Sequence, residues 1–305
     1  MRLEPGSVIG FVGTGVMGGA MAGHLLDAGY RLRVHNRTKQ KAASLLERGA
    51  AWCETAGEAA EGADAVVTIV GYPTDVERVY LAEDGIVAHA GPGALLIDMT
   101  TSTPSLAVRI AEAAALHGAR ALDAPVSGGD VGARDARLTI MVGGDPDAFA
   151  DAEPMLLVMG PNVVLQGCAG AGQHTKMANQ IAIADTIVGV CESLAYAEAA
   201  GLEPARVLDS IGAGSAGSWQ LANYAPRMLR GDFAPGFFVK HFIKDMRIAR
   251  DEAAAMGISL PGLLLALDLF EELAAAGHED LGIHALYLLY REKVASAAGR
   301  PSESI

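Results

Sequence analysis

The sequence predicts an α/β protein with an N-terminal doubly wound parallel sheet, a long interdomain helix and an all-α C-terminal domain. Three observations carry that prediction. Short β-branched runs alternate with Ala-rich amphipathic stretches through the first half of the chain. A glycine-rich turn follows the first of those runs directly. Beyond Gly167 the strand-like runs stop, and Gly170-Ala171-Gly172 opens a helical period that lasts nearly to the end.

Taken in order, Val8–Val12 reads as a strand and residues 18–28 as the helix after it. Arg31–His35 is the second strand and residues 39–48 the second helix. Residues 65–70 and 94–98 are apolar strands, and 121–123 and 138–142 close the series. In Asp123-Ala124-Pro125 the proline has no N–H to give, so it interrupts a central ladder. Residues 173–200 form one long helix, apolar almost all round, the pattern of a helix buried in a domain or subunit interface. From there to about Val294 the period stays helical, broken at Gly201, Pro204, Gly212, Pro226, Pro235 and Pro261. The expected division is 1–167 for a dinucleotide-binding domain and 168–305 for a helical domain serving substrate and dimerisation.

Composition narrows the class. The chain has 305 residues, 51% apolar and 19% charged, enough to fill the cores of two domains. Aromatics are only 5% and the net charge is −13, so bases find few stacking partners and phosphate backbones the wrong sign. No nucleic-acid partner is expected. Cys53, Cys168 and Cys191 lack metal-ligand spacing and read as small buried hydrophobes in a reducing cytosol. The eight histidines form no ligand pair, so no metal is expected. Residues 1–6 lack the pattern of a signal peptide, and polar residues break the apolar runs, so a cytoplasmic protein without a membrane span is expected. Hydrolysis is poorly supported, because Ala213 stands where a nucleophile elbow around Ser215 needs its first glycine.

The cofactor signal is Gly13-Thr14-Gly15-Val16-Met17-Gly18, placed between a strand and a helix. The glycines serve a tight turn, close approach of a pyrophosphate and close helix–strand contact, as in a Rossmann-type domain. The helix start adds unpaired N–H groups and a partial positive charge. An acid at the end of the second strand would bond the ribose 2′-hydroxyl of NAD. Here the strand ends in Asn36-Arg37-Thr38, where Arg37 can hold a 2′-phosphate by charge-assisted hydrogen bonds and Asn36 and Thr38 by neutral ones. NADP is therefore expected over NAD, with a solvated surface arginine as the alternative. Val70-Gly71 and Thr101 lie at two further strand ends facing the same crevice. Thr101 can reach the nicotinamide ribose, or Thr101 or Ser102 can cap the next helix.

Three segments beyond residue 120 carry candidate chemistry. Ser127, Gly128 and Gly129 can form a backbone nest for a carboxylate, or an ordinary glycine-rich turn. Lys176 and Asn179 share a face of the long helix. A lysine on so apolar a helix is either snorkelled to solvent or used, and desolvation favours the neutral form that acid/base work near neutral pH requires. Lys240, Lys244 and Asp245 form either a surface charge cluster or a group from which Lys244 reaches the cofactor.

Together these motifs resemble the β-hydroxyacid dehydrogenase family of 3-hydroxyisobutyrate dehydrogenase, tartronate semialdehyde reductase and glyoxylate/succinic semialdehyde reductases. The resemblance runs from Ile9 to about Lys293, with the motifs in the family's order. It implies Lys176 as the catalytic acid/base, with Asn179 orienting the substrate. Ser127, Gly128 and Gly129 then bind the substrate carboxylate, and Thr101 and Lys244 contact cofactor. Homodimers or homotetramers follow from the same resemblance. Gln180 departs from the family, many of whose members have a second asparagine there. Trp219 reads as a substrate-pocket residue or as a core or interface tryptophan.

The expected activity is hydride transfer between NADP(H) and a small 3-hydroxy acid or semialdehyde carboxylate, with the cofactor carrying the redox chemistry. Two alternatives are an imine reductase, a class that generally lacks the lysine matching Lys176, and a non-catalytic NADP-binding sensor.

Overall fold

In the computed structural model, which describes residues 2–297, strand β1 (Val8–Val12) lies inside a nine-stranded sheet. By its packing the chain divides into two compact units, Met1–Lys176 and Met177–Ile305. That boundary falls inside a helix, whereas the sequence division was expected just before it.

The first unit alternates strands and helices. After β1 come α1 (Val16–Asp27), β2 (Arg31–His35), α2 (Ala43–Glu47), β3 (Ala51–Trp52), α3 (Ala56–Ala60) and β4 (Ala65–Thr68). Next are α4 (Pro73–Leu81), α5 (Ile86–His89), β5 (Leu95–Asp98), α6 (Pro104–Leu116) and β6 (Arg120–Asp123). The unit continues through β7 (Val126–Ser127), α7 (Gly129–Arg134), β8 (Thr139–Gly144), α8 (Pro146–Leu156) and β9 (Asn162–Gly167). The strand order is β3-β2-β1-β4-β5-β6-β8-β7, with β9 also on β8. It reverses between β1 and β4, the switch point beyond whose strand ends ligands bind in open α/β sheets.

Both faces of the sheet are covered, and the strands show why. Ala65 and Val67 of β4 and Leu95 and Ile97 of β5 enter one core with Phe11, Met21 and Leu25. Val66 and Leu96, one residue out of phase, enter another with Val76, Tyr80 and Ile110. Side chains alternate across a strand, so a sheet apolar at every position needs helices on both sides.

The expected all-parallel sheet holds from β3 to β6 and changes beyond. β6 and β7 both run antiparallel to β8, Leu122 opposite Gly144 and Val126 opposite Ile140. Ala124-Pro125 separates them, so the proline interrupts one edge of β8 rather than ending the sheet. β3 and β7, at two residues each, are too short to show a period in the sequence. The expected second helix is a 3₁₀ turn at Lys39–Ala42 followed by the short α2, a common form of helix start. Cys53 and Cys191 are buried, but Cys168 is exposed, because it lies on the connection after the edge strand β9.

Helix α9 (Ala171–Ala199) begins in the first unit and continues through the second. The second unit adds α10 (Pro204–Gly212), α11 (Trp219–Asn223), α12 (Ala225–Leu229), α13 (Val239–Ala255), α14 (Pro261–Leu273) and α15 (Tyr287–Ala297). Its core gathers Ile187, Cys191 and Leu194 of α9 with Phe242, Met246, Phe270 and Leu286. By length and composition α9 could cross a membrane, yet half of its most apolar window is buried within the protein, as in a core helix. Ala178, Ala182, Gly189 and Tyr196 on its other side are exposed in the single chain.

Candidate active site

The glycine turn is built as its residues require. Gly13 has φ +100°, and a Cβ there would fall 2.1 Å from the Ile69 carbonyl oxygen. At Gly18 a Cβ would meet the Gly13 carbonyl oxygen at 1.9 Å, so α1 closes directly on the turn. Gly15 differs: it has φ −70°, is exposed, and nothing lies within 4 Å of where its Cβ would be. No side chain caps α1, whose first residue Val16 is 71% exposed. The Thr14 hydroxyl is buried without a hydrogen-bond partner among the described residues. An open cradle, an uncapped helix start and an orphaned hydroxyl fit a dinucleotide pyrophosphate.

Asn36 ties this turn to the next strand end. Its Oδ1 accepts from Thr14 N at 3.1 Å and its Nδ2 donates to Thr38 O at 2.9 Å. Arg37 and Thr38, beside it, are exposed. Met17 is half-buried against the core of the first unit.

The ends of β4 and β5 are joined through Asp98. Its Oδ1 accepts from Thr68 Oγ1 at 2.8 Å and Thr100 N at 3.0 Å. Burial pushes its carboxyl up to about 6, against the pull of those donors. Thr100 Oγ1 in turn accepts from Val70 N at 3.0 Å. Gly71 and Thr101 follow on these two turns and are half-buried. The cap of α6 is Thr103, whose hydroxyl accepts from Leu106 N at 3.2 Å, so neither Thr101 nor Ser102 serves as the cap.

Helix α9 starts against the same strand ends. Asp123, the last residue of β6, accepts from Gly170 N at 2.7 Å and Gln173 N at 2.8 Å. Burial raises its carboxyl above the usual range while those backbone donors pull it down. Gln173 is fully buried; its Nε2 donates to Thr100 O at 2.8 Å and its Oε1 accepts from Ser102 N at 2.9 Å. One turn further on, Lys176 is only 6% exposed. A lysine held so far from water on a helix start is suited to proton transfer.

Ser127, Gly128 and Gly129 lie where β7 meets α7. Ser127 is half-buried opposite Thr139, and Gly128 and Gly129 have φ of +127° and +61°, which side-chain-bearing residues rarely adopt.

In the second unit four polar side chains form a line. Asn179 Nδ2 donates to Gln180 Oε1 and Gln180 Nε2 to Asp245 Oδ2, both at 2.7 Å, and Lys244 Nζ pairs with Asp245 Oδ1 at 3.0 Å. Trp219 stands apart, 53% exposed and edge-on to Tyr224 at 5.0 Å. Sequence reasoning gave no role to Thr100, Asp123 or Gln173, and none beyond a family departure to Gln180. Asp123, between Leu122 and Ala124, carried a signal as a polar side chain amid apolar neighbours; Thr100, Gln173 and Gln180 sit beside other polar residues and carried none.

Residues 8–167 match the family model for the NAD binding domain of 6-phosphogluconate dehydrogenase. Residues 170–290 match that for the NAD-binding domain of NADP-dependent 3-hydroxyisobutyrate dehydrogenase. The chain is 56% identical over 282 residues to an uncharacterized oxidoreductase of Bacillus subtilis, spanning 92% of this chain and 98% of the relative. It is 46% identical over 297 residues to a probable mitochondrial 3-hydroxyisobutyrate dehydrogenase-like protein of Arabidopsis thaliana, spanning 97% and 88%. Among solved structures, 3-hydroxyisobutyrate dehydrogenase of Mycobacterium tuberculosis with L-serine superposes at a TM-score of 0.86, with 33% identity over 94% of this chain and 99% of that one.

Proposed function

The chain belongs to the β-hydroxyacid dehydrogenase family of NAD(P)-dependent oxidoreductases, and we propose that it interconverts a small hydroxy carboxylate, a 3-hydroxy acid or the product of a glyoxylate- or succinic semialdehyde-like substrate, and the matching aldehyde carboxylate, with Lys176 as general acid/base and NADP(H) as the preferred cofactor. The observation that carries the reading is the burial of Lys176 one turn beyond Gln173, whose side chain is bound to the main chain at the end of β5. L-serine, held by the tuberculosis enzyme, is itself a 3-hydroxy carboxylate, which supports the substrate class.

When bound, the nicotinamide dinucleotide delivers hydride to the substrate carbon or takes it away. For reduction, Lys176 Nζ donates a proton to the forming alkoxide; for oxidation, neutral Lys176 removes the hydroxyl proton. In the same proposal Asn179 orients the substrate and Ser127, Gly128 and Gly129 hold its carboxylate. Trp219 is assigned to the pocket lining. Residues 13–18 hold the pyrophosphate, while Val70, Gly71, Thr101 and Lys244 contact the rest of the dinucleotide. Asn36, Arg37 and Thr38 hold the 2′-phosphate, which makes NADP preferred over NAD. Residues 1–167 serve as the NADP-binding domain and 168–305 as the substrate and dimerisation domain of a cytoplasmic homodimer or homotetramer.

The test is NADPH oxidation by the purified protein with glyoxylate, succinic semialdehyde, tartronate semialdehyde and cyclic imines, with Lys176→Ala alongside. A lost general acid or base costs roughly 10²- to 10⁴-fold. Turnover of a carboxylated aldehyde that collapses in the variant is the expected result. Turnover of imines alone, or activity indifferent to Lys176, rejects the reading.

A further inference from the structure

We infer that Asp123 and Gln173 are positioning residues of this reaction, a latch that sets where Lys176 stands relative to the strand ends. The inference rests on the proposed role of Lys176 and extends it to two buried side chains that need not touch substrate.

At the start of α9 the N–H groups of Gly170 and Gln173 donate to the carboxylate of Asp123, about fifty positions earlier in the chain. One oxygen takes Gly170 N and the other Gln173 N, so the carboxylate fixes the helix in both position and direction. The approach leaves no slack. A Cβ at Gly143 would sit 2.5 Å from Asp123 Oδ1 and 2.6 Å from Gly172 N. One at Gly172 would sit 2.4 Å from Met141 O and 2.6 Å from Asp123 O. Two glycines on different segments thus admit the helix to the end of β6 at backbone contact distance.

The Gln173 amide supplies the second fastening. It uses its donor on Thr100 O and its acceptor on Ser102 N, gripping two main-chain groups of one turn. Thr100 also accepts from Val70 N through its hydroxyl, so the turn that holds α9 is the turn that joins β5 to β4 beside the cofactor crevice. Gln173 and Lys176 are three residues apart and share a helix face. Rotation or retreat of the first turn of α9 therefore displaces Lys176 directly. Proton transfer needs heavy atoms about 2.6–3.2 Å apart, and a misplacement of about 1 Å costs roughly 10²-fold.

Asp123→Asn tests the first fastening, because its amide can accept one of the two N–H groups and presents a donor to the other. Gln173→Ala tests the second and leaves both Asp123 bonds in place, so it decides the matter if Asp123→Asn does not fold. Each full-length variant is assayed with NADPH and glyoxylate or succinic semialdehyde, beside wild type and Lys176→Ala. Melting temperature and amide hydrogen exchange over residues 170–176 are measured in parallel. The expected result is kcat lowered roughly 10- to 100-fold with KM for NADPH unchanged, and faster exchange at 170–176 but not at 16–27. A folded variant with wild-type kcat overturns the inference, as does a loss confined to KM for NADPH or unchanged exchange in Gln173→Ala. If Lys176→Ala is itself fully active, the proposed role of Lys176 has failed. If it is inactive while folded Gln173→Ala keeps full kcat, the latch alone has failed.

Discussion

Gln180 donates its side-chain N–H to the Asp245 carboxylate across 2.7 Å, tying α9 to α13 inside the second unit. Asp245 is 1% exposed and, when ionised, can only accept, so it dictates which way the Gln180 amide faces. The Gln180 oxygen is thereby turned toward the Asn179 amide, which donates to it. Replacement by Gln180→Leu removes a hydrogen bond to a buried charge, and the expected cost is about 2 kcal/mol. Urea denaturation followed by circular dichroism reads it. A midpoint equal to wild type would show that Asp245 is sufficiently held by Lys244 alone.

Gly15→Ala and Gly18→Ala separate folding from binding within one turn. Nothing occupies the space beyond Gly15 and its φ is ordinary, so the alanine is expected to leave the melting temperature unchanged while weakening dinucleotide binding. At Gly18 the new methyl meets the Gly13 carbonyl oxygen, and overpacking of this kind costs about 1–3 kcal/mol. Calorimetric titration with NADPH and thermal melts distinguish the two. Unaltered NADPH affinity in Gly15→Ala rules out close approach of the pyrophosphate at that residue.

Arg37 stands exposed beside Asn36, which is fastened to the glycine turn. Loss of a charge-assisted contact to a 2′-phosphate is worth about 1.5–3 kcal/mol. In Arg37→Ala, Kd for NADPH is therefore expected to rise roughly 10- to 100-fold while Kd for NADH stays as it was. Equal effects on the two cofactors would remove Arg37 from the 2′-phosphate site.

His284 gives the second unit a sensitivity to acid. It is fully buried, stacked on Tyr224 at 4.7 Å, and shares Nε2 with the Asp232 carbonyl oxygen at 2.8 Å. Burial holds its imidazole down to about 4 from the usual 6.5. The unfolded chain therefore binds this proton first, so stability is lost as pH falls from about 6.5 to about 4 and is fully present above. At 1.36 kcal/mol per unit the full effect is about 3 kcal/mol. Asp98, raised to about 6, works in the opposite sense: stability in the first unit falls as pH rises from about 4 through 6. Melting curves of wild type and His284→Gln between pH 4 and 7 isolate the histidine. The variant is expected to lose less stability on acidification; parallel curves would refute the assignment.

Parts of the candidate site were legible in the sequence where their residues are close neighbours in the chain. The turn at Gly13 to Gly18 and the strand ending at His35 are local patterns whose conformations glycine and the strand period enforce. Boundaries were less legible where local and tertiary demands compete. Residues 39–48 carry a helical period, yet the chain forms a 3₁₀ turn there before α2.

By itself the sequence determined six strands of the sheet in their order, the glycine turn after the first of them, the change to helices after Gly167 and the family. Each of these depends on periods and spacings a few residues long. Only the tertiary structure decided that β6 and β7 run antiparallel to β8, that Asp123 caps α9, and that Gln180 reaches Asp245. Those partners lie from about a dozen to more than sixty residues apart, and a hydrogen bond between them exists only once packing has removed water from both.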